Sequence, residues 1–438
     1  MKEEALEEPA TVPEKAGRVG KTLGVALCIW SDSMLAALDN GVKGGKWYSL
    51  SDKAFSVRTL EAAFKKVKAN GGAAGVDRVT IARFETNLAA ELDRLSKTLM
   101  DGTYRPQAIK RVMIPKPGSH EKRPLGIPTV RDRVVQTALR AALEPIFEHG
   151  FCDGSFGFRP GRSCHQALRR VWLSLKSGKA FVVDADLRKF FDTIPHDLIM
   201  RGLKEKVSDG KLLALVGLFL KQGVMEAEDA WEYELSEGTP QGSVISPLLA
   251  NIALHGMDRM AEGKGLDLVR YADDFVVLCS SREEAESALE DIEGWVEKAG
   301  LKLHPDKTRI VDYGSGESFE FLGYEFKGGK ADPRSKSVNN LRNKIRDLTP
   351  QCGGKLSDII AELNSVLKGW YRYFRHGYGW KFERMDGFVR RRLRSILARR
   401  KRMGRFNLVR HHTAWPNAYF ERMGLFSMQR AHVERRTL

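Results

Sequence analysis

Two short apolar segments that end or turn in carboxylates constrain the fold of this chain more than any other feature of its sequence. FVVDADL (181–187) has the composition of a buried strand and stops at Asp186. LDLVRYADDFVVLCSS (266–281) contains two strand-like runs separated by Tyr-Ala-Asp-Asp, which predicts a β-hairpin with Asp273 and Asp274 at its turn. Because adjacent carboxylates repel each other and burial raises that cost, a bound cation is their natural compensation.

Carboxylates at strand ends are the ligands that two-metal phosphoryl transfer requires. Such a site holds its ions about 3.5–4 Å apart, and Mg²⁺ prefers oxygen ligands. If the two strands are neighbours, Asp186 lies beside Asp273 and Asp274. A polar turn without a metal is the alternative for the adjacent pair considered alone. Asp192 is interpreted as the cap of the helix that begins in TIPHDL, and Asp184 is left without a role.

The segments around these strands predict an α+β chain. IKRVMIPKPGSHEKRPLGIP (109–128) has the apolar alternation and the Pro-Gly-Ser turn of a β-hairpin. SFEFLGYEF (318–326) is predicted to be one strand, and amphipathic helices follow from about residue 338. Helices and strands alternate without a regular βαβ period, which favours α+β over a doubly wound sheet.

The excess of basic over acidic residues is confined to the last quarter of the chain. Residues 331–438 contain 25 Lys and Arg against 8 Asp and Glu, whereas the other 330 residues contain 47 against 48. A solvated helix surface is the alternative explanation, but such a surface would mix the two signs. A polyanion partner, most simply a nucleic acid, explains the asymmetry better.

Composition excludes several other classes of protein. No segment approaches the roughly 18 uncharged apolar residues that a membrane-spanning helix needs. The opening MKEEALEEPATVPEK is too acidic for a signal peptide and is interpreted as a flexible leader. The five cysteines form no CxxC pair, which argues against a disulfide framework and against a Cys-based zinc site. We therefore expect a cytoplasmic protein with no membrane partner.

Five blocks carry a resemblance to a known family: DADLRKFFD, GTPQGSVISPLLANI, RYADDFVVLC, GLKLHPDKT and FEFLGYEF. Their order is that of the sequence blocks of reverse transcriptases. SFGFRPGRSCHQAL and KRPLGIPTVRDRVVQTAL resemble the group II intron-encoded branch, and the resemblance extends from about residue 45 to the C-terminus. It implies a right-hand polymerase with fingers, palm and thumb. It also implies that Asp186, Asp273 and Asp274 bind two Mg²⁺ ions, with Mn²⁺ as an alternative, and that Leu187 belongs to the same metal site.

The resemblance also implies a nucleotide site. Phe191 is similar to the steric gate that excludes a ribose 2′-OH, and a core aromatic is the alternative. Lys116 and Arg123 resemble the residues that hold the triphosphate, and exposed hairpin charges are the alternative. Gln241 resembles a residue that lines this site, and Lys307 resembles a general acid near the pyrophosphate. The remaining residues implied are Arg188, Lys189 and Phe190 at the nucleotide and Leu322, Gly323 and Tyr324 as the primer grip.

The C-terminal helices resemble the thumb, or maturase domain, of the same proteins. VLKGWYRYFRHGYGW (366–380) interleaves cations with aromatic rings, which suits RNA, although half of those rings are expected to be helix core. In FVRRRLRSILARRKR (388–402) the apolar positions share one face, which predicts that the arginines lie on the outer face. His411 and His412 are interpreted as surface residues. The predicted RNA-binding residues are Lys368, Arg372, Arg375, Arg390, Arg391, Arg394, Arg399 and Arg400.

The predicted domain organisation has four parts. A flexible leader and N-terminal helix occupy 1–45, fingers and palm 46–335, a helical thumb and maturase domain 336–402, and a basic extension 403–438. The Cys pairs of an HNH-type nuclease do not follow the helical region. We therefore expect no nuclease in the extension and a primer from another source, such as a nascent strand.

The leading hypothesis is an RNA-directed DNA polymerase of a group II intron that also binds intron RNA to assist splicing and mobility. Its expected partners are intron RNA, an RNA template with a DNA primer, target DNA and dNTPs, in a bacterial cytosol or nucleoid. One alternative is a reverse transcriptase without an intron, used in defence, diversity generation or DNA repair. Another is an RNA-binding splicing factor without polymerase activity, against which the three intact Asp residues argue.

Overall fold

The computed structural model of the chain describes residues 23–42, 44–115, 122–226, 235–350, 354–403 and 408–437. These residues form two compact units. The first comprises the described residues up to Pro115 together with Lys122–Ile310, and the second comprises those from Val311 onward. No helix among the described residues is both long and apolar enough to cross a membrane.

The first unit begins with helices that pack around a hairpin and a long helix. Side-chain caps start several of them, since Ser56, Thr80 and Thr129 each accept a hydrogen bond from a backbone N–H three residues later. The elements are α1 (Leu23–Ala26), α2 (Asp32–Asn40), α3 (Ser51–Ala54), α4 (Val57–Asn70), α5 (Ile81–Thr86), α6 (Leu88–Met100), β1 (Ile109–Pro115), β2 (Lys122–Ile127) and α7 (Val130–Gly150). β1 and β2 pair antiparallel, as the sequence predicted.

A four-stranded sheet flanked by helices completes this unit. Its elements are α8 (Cys164–Lys176), β3 (Phe181–Asp186), α9 (Phe190–Thr193), α10 (His196–Lys206), α11 (Gly210–Leu220), β4 (Val224–Glu226), α12 (Ser246–Gly263), β5 (Asp267–Tyr271), β6 (Asp274–Cys279), α13 (Arg282–Lys298) and β7 (Arg309–Asp312). The strand order is β5–β6–β3–β7. β6 is buried along Phe275–Cys279 because both of its edges are paired and α13 packs on it. The carboxylates of β3 and β6 therefore lie at one end of a buried, apolar pair of strands.

The second unit joins a small sheet to a bundle of helices. Its elements are β8 (Phe319–Phe321), β9 (Tyr324–Lys327), β10 (Lys330–Pro333), α14 (Ser335–Leu348), α15 (Leu356–Phe374), α16 (Gly379–Arg400), α17 (Leu408–Ala414), α18 (Asn417–Arg422) and α19 (Met428–Thr437). Leu363, Leu367 and Phe382 are completely buried in its core. The apolar spacing of α15 and α16 thus faces a separate core in this unit.

Two predictions about the second unit need correction or restatement. The predicted strand 318–326 is a hairpin, because Leu322 and Gly323 both have positive φ angles (48° and 81°) and reverse the chain between β8 and β9. The compact unit begins at Val311, earlier than the predicted domain boundary at 336, since this sheet packs on α15 through Tyr324 and Phe374. The predicted leader lies mostly outside the described residues.

Candidate active site

The three carboxylates lie at one end of the central sheet. β3 runs antiparallel to β6, and Asp186 stands directly opposite Asp274. Directly opposed residues of antiparallel strands have Cβ atoms about 4.5–5.5 Å apart on one face. β5 pairs with β6 through Tyr271 and Asp274, which leaves Ala272 and Asp273 as a two-residue turn. The two strands are therefore neighbours in the sheet, as the site required.

Electrostatics at this end of the sheet are those of crowded like charges. Burial first, and then the carboxylates of Asp186, Asp184 and Asp273, raise the pKa of Asp274 to about 7, while Lys307 opposes the shift. Burial and then Asp186 also raise the pKa of Asp273. Asp184, left without a role by the sequence, shares the face of β3 with Asp186 because the two are two positions apart in the strand. Added positive charge would favour the ionised form of this cluster.

Lys307 supplies part of that charge. Its ammonium group donates a hydrogen bond to a carboxylate oxygen of Asp186. The segment that carries it is fixed, since the His304 N–H donates to the Asp186 carbonyl at 2.8 Å and Leu187 forms a β-bridge with Leu303. The Leu187 side chain is buried, so the carbonyl oxygen is the atom that this residue can offer a metal.

The donor set suits a hard cation, although its side chains are not gathered into a ligand shell. Among the described residues, no three His, Cys, Asp or Glu side chains converge closely enough to hold an ion. Asp186 is paired with the Lys307 ammonium, and Arg309 lies 3.6 Å from the Asp184 carboxylate. Asp273 and Asp274 have raised pKa values, and an oxygen-ligated divalent ion would neutralise such crowded carboxylates.

Two adjacent phenylalanines in α9 differ in their surroundings. The Phe190 ring is only 1% exposed and packs in the core, so its side chain cannot contact a nucleotide, contrary to the prediction. The Phe191 ring is half-buried, 5.5 Å from the Phe190 ring centroid and 6.2 Å from that of Phe158. Phe158 is 43% exposed at a positive φ of 61°. Sequence reasoning missed Phe158, because backbone strain at a residue other than glycine leaves no local pattern.

The loop that carries Gln241 is tied to both β2 and α7. The Gly126 N–H donates to the Gln241 carbonyl at 2.6 Å. Gly242 has a φ of 111°, and a Cβ there would lie 2.1 Å from the Gly126 carbonyl oxygen, so only glycine allows this approach. Gln136 of α7 accepts hydrogen bonds from the Ser243 hydroxyl and the Val244 N–H. The side chain of Gln241 is thus presented from a fixed backbone.

The cations predicted to bind the nucleotide are exposed where the structure describes them. Arg123 is exposed on β2, opposite Ile114, and Lys116 lies outside the described residues. Arg188 and Lys189 are exposed between β3 and α9, as the chain leaves the carboxylate cluster. A role for these four cations in binding the nucleotide stays a prediction.

The interpretation of Asp192 as a helix cap is wrong. Asp192 lies within α9, and α10 begins after Pro195 without a side-chain cap. Gln241 donates a hydrogen bond from Nε2 to the Asp192 carboxylate at 3.5 Å. The chain forms a short extra helix here, which the sequence did not separate from α10.

In the second unit, the predicted primer grip is a tight turn backed by aromatic rings. Tyr324 is buried, and its hydroxyl donates to the Tyr373 carbonyl at 2.6 Å. The Tyr373 hydroxyl in turn donates to the Leu322 carbonyl at 2.8 Å. Tyr324 therefore supports the turn from below, contrary to a direct primer contact, and the backbone of Leu322 and Gly323 is what the turn presents.

Most, but not all, of the predicted RNA-binding cations are on the surface. Arg390 is half-buried. The exposed ones are Lys368, Arg372, Arg375, Arg391, Arg399 and Arg400. Arg394 is only 2% exposed, and it donates from Nε to the Trp415 carbonyl and from Nη2 to Asn417 Oδ1, each at 2.8 Å. The prediction for Arg394 is wrong because α17 and α18 cover that face of α16. For the same reason His411 is buried against Trp415, and only His412 is on the surface.

Comparison with known families matches both units. Residues 114–326 match the family described as reverse transcriptase (RNA-dependent DNA polymerase). Residues 338–415 match the family described as group II intron, maturase-specific domain.

Individual relatives cover different shares of their own length. Protein YkfC of Escherichia coli (strain K12) is 36% identical over 57% of this chain and 74% of its own. Group II intron-encoded protein LtrA of Lactococcus lactis subsp. cremoris is 32% identical over 54% of this chain and 50% of its own. Among solved structures, telomerase from Candida albicans aligns with 72% of this chain and 63% of its own at 14% identity and a TM-score of 0.41. The chain thus spans about three quarters of one relative and half of another.

Proposed function

The chain belongs to the reverse transcriptases encoded by group II introns, and on that premise we propose that it copies intron RNA into DNA and binds that RNA to assist splicing and mobility. The observation that carries the catalytic part is the placement of Asp186 opposite Asp274, with Asp273 in the adjoining turn. Few arrangements other than cation binding compensate three carboxylates at one buried sheet end.

In this proposal Asp186, Asp273, Asp274 and the Leu187 carbonyl hold two Mg²⁺ ions, with Mn²⁺ as an alternative. When bound, the two ions would stabilise charge on the attacking 3′-oxygen and the leaving pyrophosphate. Lys307, which donates a hydrogen bond to Asp186, would give a proton to the departing pyrophosphate. The carboxylates would thus orient the two ions, and the Lys307 ammonium would neutralise negative charge beside them.

We further assign the dNTP to the surface around α9. Phe191 would exclude a ribose 2′-OH, since its half-buried ring is held by Phe190 and Phe158. Gln241 would line the same surface from its fixed loop. The triphosphate would be held by cations, for which the candidates are Lys116, Arg123, Arg188 and Lys189.

Residues 46–335 are proposed as fingers and palm, and the helices of residues 336–402 as thumb and maturase domain. The exposed cations of α15 and α16 would contact phosphates of intron RNA, and some would also contact target DNA or the primer–template. The turn at Leu322 and Gly323 would support the primer through its backbone. Such substrates place the protein in the cytosol or nucleoid of a bacterium.

Primer extension by the full chain tests the catalytic part. An RNA template with a DNA primer, dNTPs and Mg²⁺ should give template-length DNA, and Asp186→Asn should abolish it. Asp93→Asn, which changes an exposed carboxylate of α6, is the matched control and should leave extension unchanged. Extension that persists in Asp186→Asn, or a folded wild-type chain that binds primer–template and adds no nucleotide, would refute the proposal.

A further inference from the structure

Arg270 on β5 is a completely buried cation close to the carboxylate hairpin. It lies three residues before Asp273, and its side chain is 0% exposed. A guanidinium that loses its water needs an acceptor for each of its five N–H groups, and a missing acceptor is costly. The groups that accept hydrogen bonds from Arg270 therefore indicate the role of this buried side chain.

All five donors of Arg270 are used. Nε and Nη2 donate to the two carboxylate oxygens of Asp258 at 2.7 and 2.5 Å, which is a bidentate pair with α12. Nη2 also donates to the Ser155 hydroxyl at 2.9 Å. Nη1 donates to Asn251 Oδ1 at 3.1 Å and to the Ala272 carbonyl at 2.9 Å. The last of these acceptors belongs to the turn itself.

The Ala272 carbonyl is part of the peptide that leads into Asp273. Ala272 has a φ of 61°, a left-handed conformation that is strained for a non-glycine residue. Gly157 packs against the same turn so closely that a Cβ would lie 2.2 Å from the Ala272 N. Asn251 bridges the two elements, since its Nδ2 donates to the Gly157 carbonyl at 2.8 Å. The turn is therefore held from both sides.

We propose that Arg270 is a positioning residue for the carboxylate hairpin. With Asp258 and Asn251 it fixes the Ala272–Asp273 peptide, so that the Asp273 carboxylate is directed toward those of Asp186 and Asp274. This inference rests on the proposed function, because the direction matters only if the carboxylates bind metal ions together. A buried ion pair is often no more stabilising than apolar residues of the same volume. A role in orienting the turn explains the buried Arg270–Asp258 pair, whereas a contribution to stability alone does not.

The first variant is Arg270→Lys, which keeps a charge for Asp258 but lacks the planar fork that also reaches Ala272. Mn²⁺ binding to the full chain without nucleic acid, measured by electron paramagnetic resonance, should weaken about 10–100-fold, as is usual when a group that orients a metal ligand is changed. Amide hydrogen exchange at residues 271–275 should become faster. In primer extension, kcat should fall while KM for the primer–template stays unchanged.

A second buried arginine offers a matched control. Arg159 is also completely buried, pairs with Glu148 at 2.9 Å, and donates to the carbonyls of Cys152 and Ser155 at 2.7 Å. None of these acceptors belongs to the hairpin. Arg159→Lys should lower the melting temperature as much as Arg270→Lys. It should change Mn²⁺ affinity and exchange at the hairpin much less, because Arg159 reaches Ser155, a partner of Arg270, but not the Ala272 carbonyl. Asp258→Asn, which keeps the shape of the partner, is the milder second variant if Arg270→Lys does not fold.

The outcomes separate this inference from the proposed function. Equal Mn²⁺ affinity and equal hairpin exchange in the wild type, Arg270→Lys and Asp258→Asn, with an active wild type, would overturn the positioning role alone. A wild type without polymerase activity, combined with faster hairpin exchange in Arg270→Lys, would overturn the proposed function and leave the positioning role standing. Equal effects of Arg159→Lys and Arg270→Lys on Mn²⁺ binding would show a merely structural arginine.

Discussion

The carboxylate end of the first unit and the arginine-rich helices of the second place their charges in opposite environments. Asp273 and Asp274 are partly buried and crowded, and the turn that carries them is held by the hydrogen bond from Arg270 to the Ala272 carbonyl. Arg391 and Arg399 are exposed on α16. Where charge is buried, a single group is oriented by its partners and a single substitution should have a large effect. Where charge is exposed, many groups act together and each contributes little.

The second unit contains its own exception to this contrast. Arg394 is one helical turn from Arg390, yet it is buried under α17 and α18, where burial lowers the pKa of its guanidinium. Arg391, Arg399 and Arg400 of the same helix are exposed. The environment of a charge therefore follows from what packs on the helix, and the comparison can be tested residue by residue.

The largest effect is expected at the carboxylates. Asp273→Asn or Asp274→Asn should lower kcat for DNA synthesis about 10³-fold or more, since a lost ligand removes several kcal/mol of transition-state charge stabilisation. Single-turnover primer extension measures this. Asp184→Asn is the control on the same face of β3, two residues from the strand end, and should cost less than about tenfold. A folded Asp273→Asn variant with near-normal extension would show that a single substitution at the buried carboxylates does not have a large effect.

Exposed cations should show a graded, salt-dependent effect. Replacing Arg390, Arg391, Arg399 and Arg400 by Gln should weaken binding to intron RNA roughly 10²-fold and flatten the slope of log K against log salt by about 0.7–0.9 per lost phosphate contact. Gln keeps a helix propensity close to that of Arg. Salt titrations with intron RNA and with a short primer–template duplex measure both quantities. The loss should be larger for intron RNA.

Arg394→Gln sharpens the same test. It should lower the free energy of unfolding by about 1–3 kcal/mol, because the buried Trp415 carbonyl loses its donor. The salt slope should not change. An unchanged slope in the fourfold variant would mean that those arginines form a solvated surface and that the basic excess has another cause.

Sugar discrimination should change less. Phe191→Ala opens space beside the sugar and should reduce the ratio of kcat/KM for dNTP over rNTP roughly 10–100-fold, the usual range for a change of pocket shape. Phe158→Ala, which removes the ring that packs edge-on against Phe191, should reduce the ratio in the same direction but less. Competition between dNTP and rNTP on one template measures it. If the ratio stays constant in Phe191→Ala, the ring is a packing residue.

The smallest effect is a pH dependence of stability in the metal-free protein. The pKa of Asp274 is raised to about 7 from a usual value of 3.8, so the folded chain binds this proton more tightly than the unfolded chain. Its contribution to stability is fully present below about pH 4 and is lost as pH rises through about 7. In EDTA, Asp274→Asn should therefore gain on the wild type between about pH 5 and pH 7, by at most about 1.4 kcal/mol per pH unit.

Melting temperatures of both proteins across this pH range measure the difference. Excess Mg²⁺ at about pH 8 should close the gap, since a cation compensates the ionised cluster in the wild type. Parallel curves for the two proteins in EDTA would show that Asp274 titrates near its ordinary value.

Much of the fold and of the candidate site follows from the sequence alone. The family resemblance and the α+β, right-hand class are confirmed by the two family matches. The hairpin over 266–281 was predictable because strand alternation and a tight turn are local properties. The segregation of basic charge needs no structure either, because it is a count along the chain.

Which side chains are covered was decided by the tertiary structure. Phe190 and Phe191 are adjacent and chemically identical, and only the packing of α9 on the core buries one and leaves the other half-exposed. Arg394 carries the same helical signal as its neighbours, but α17 and α18 pack over it. Arg270 stands in a strand where the side chains that accept its hydrogen bonds are 12 to 115 residues away in sequence. Periodicity predicts a face of a helix or strand, whereas the elements that cover that face come from distant parts of the chain, and their position is a property of the folded molecule.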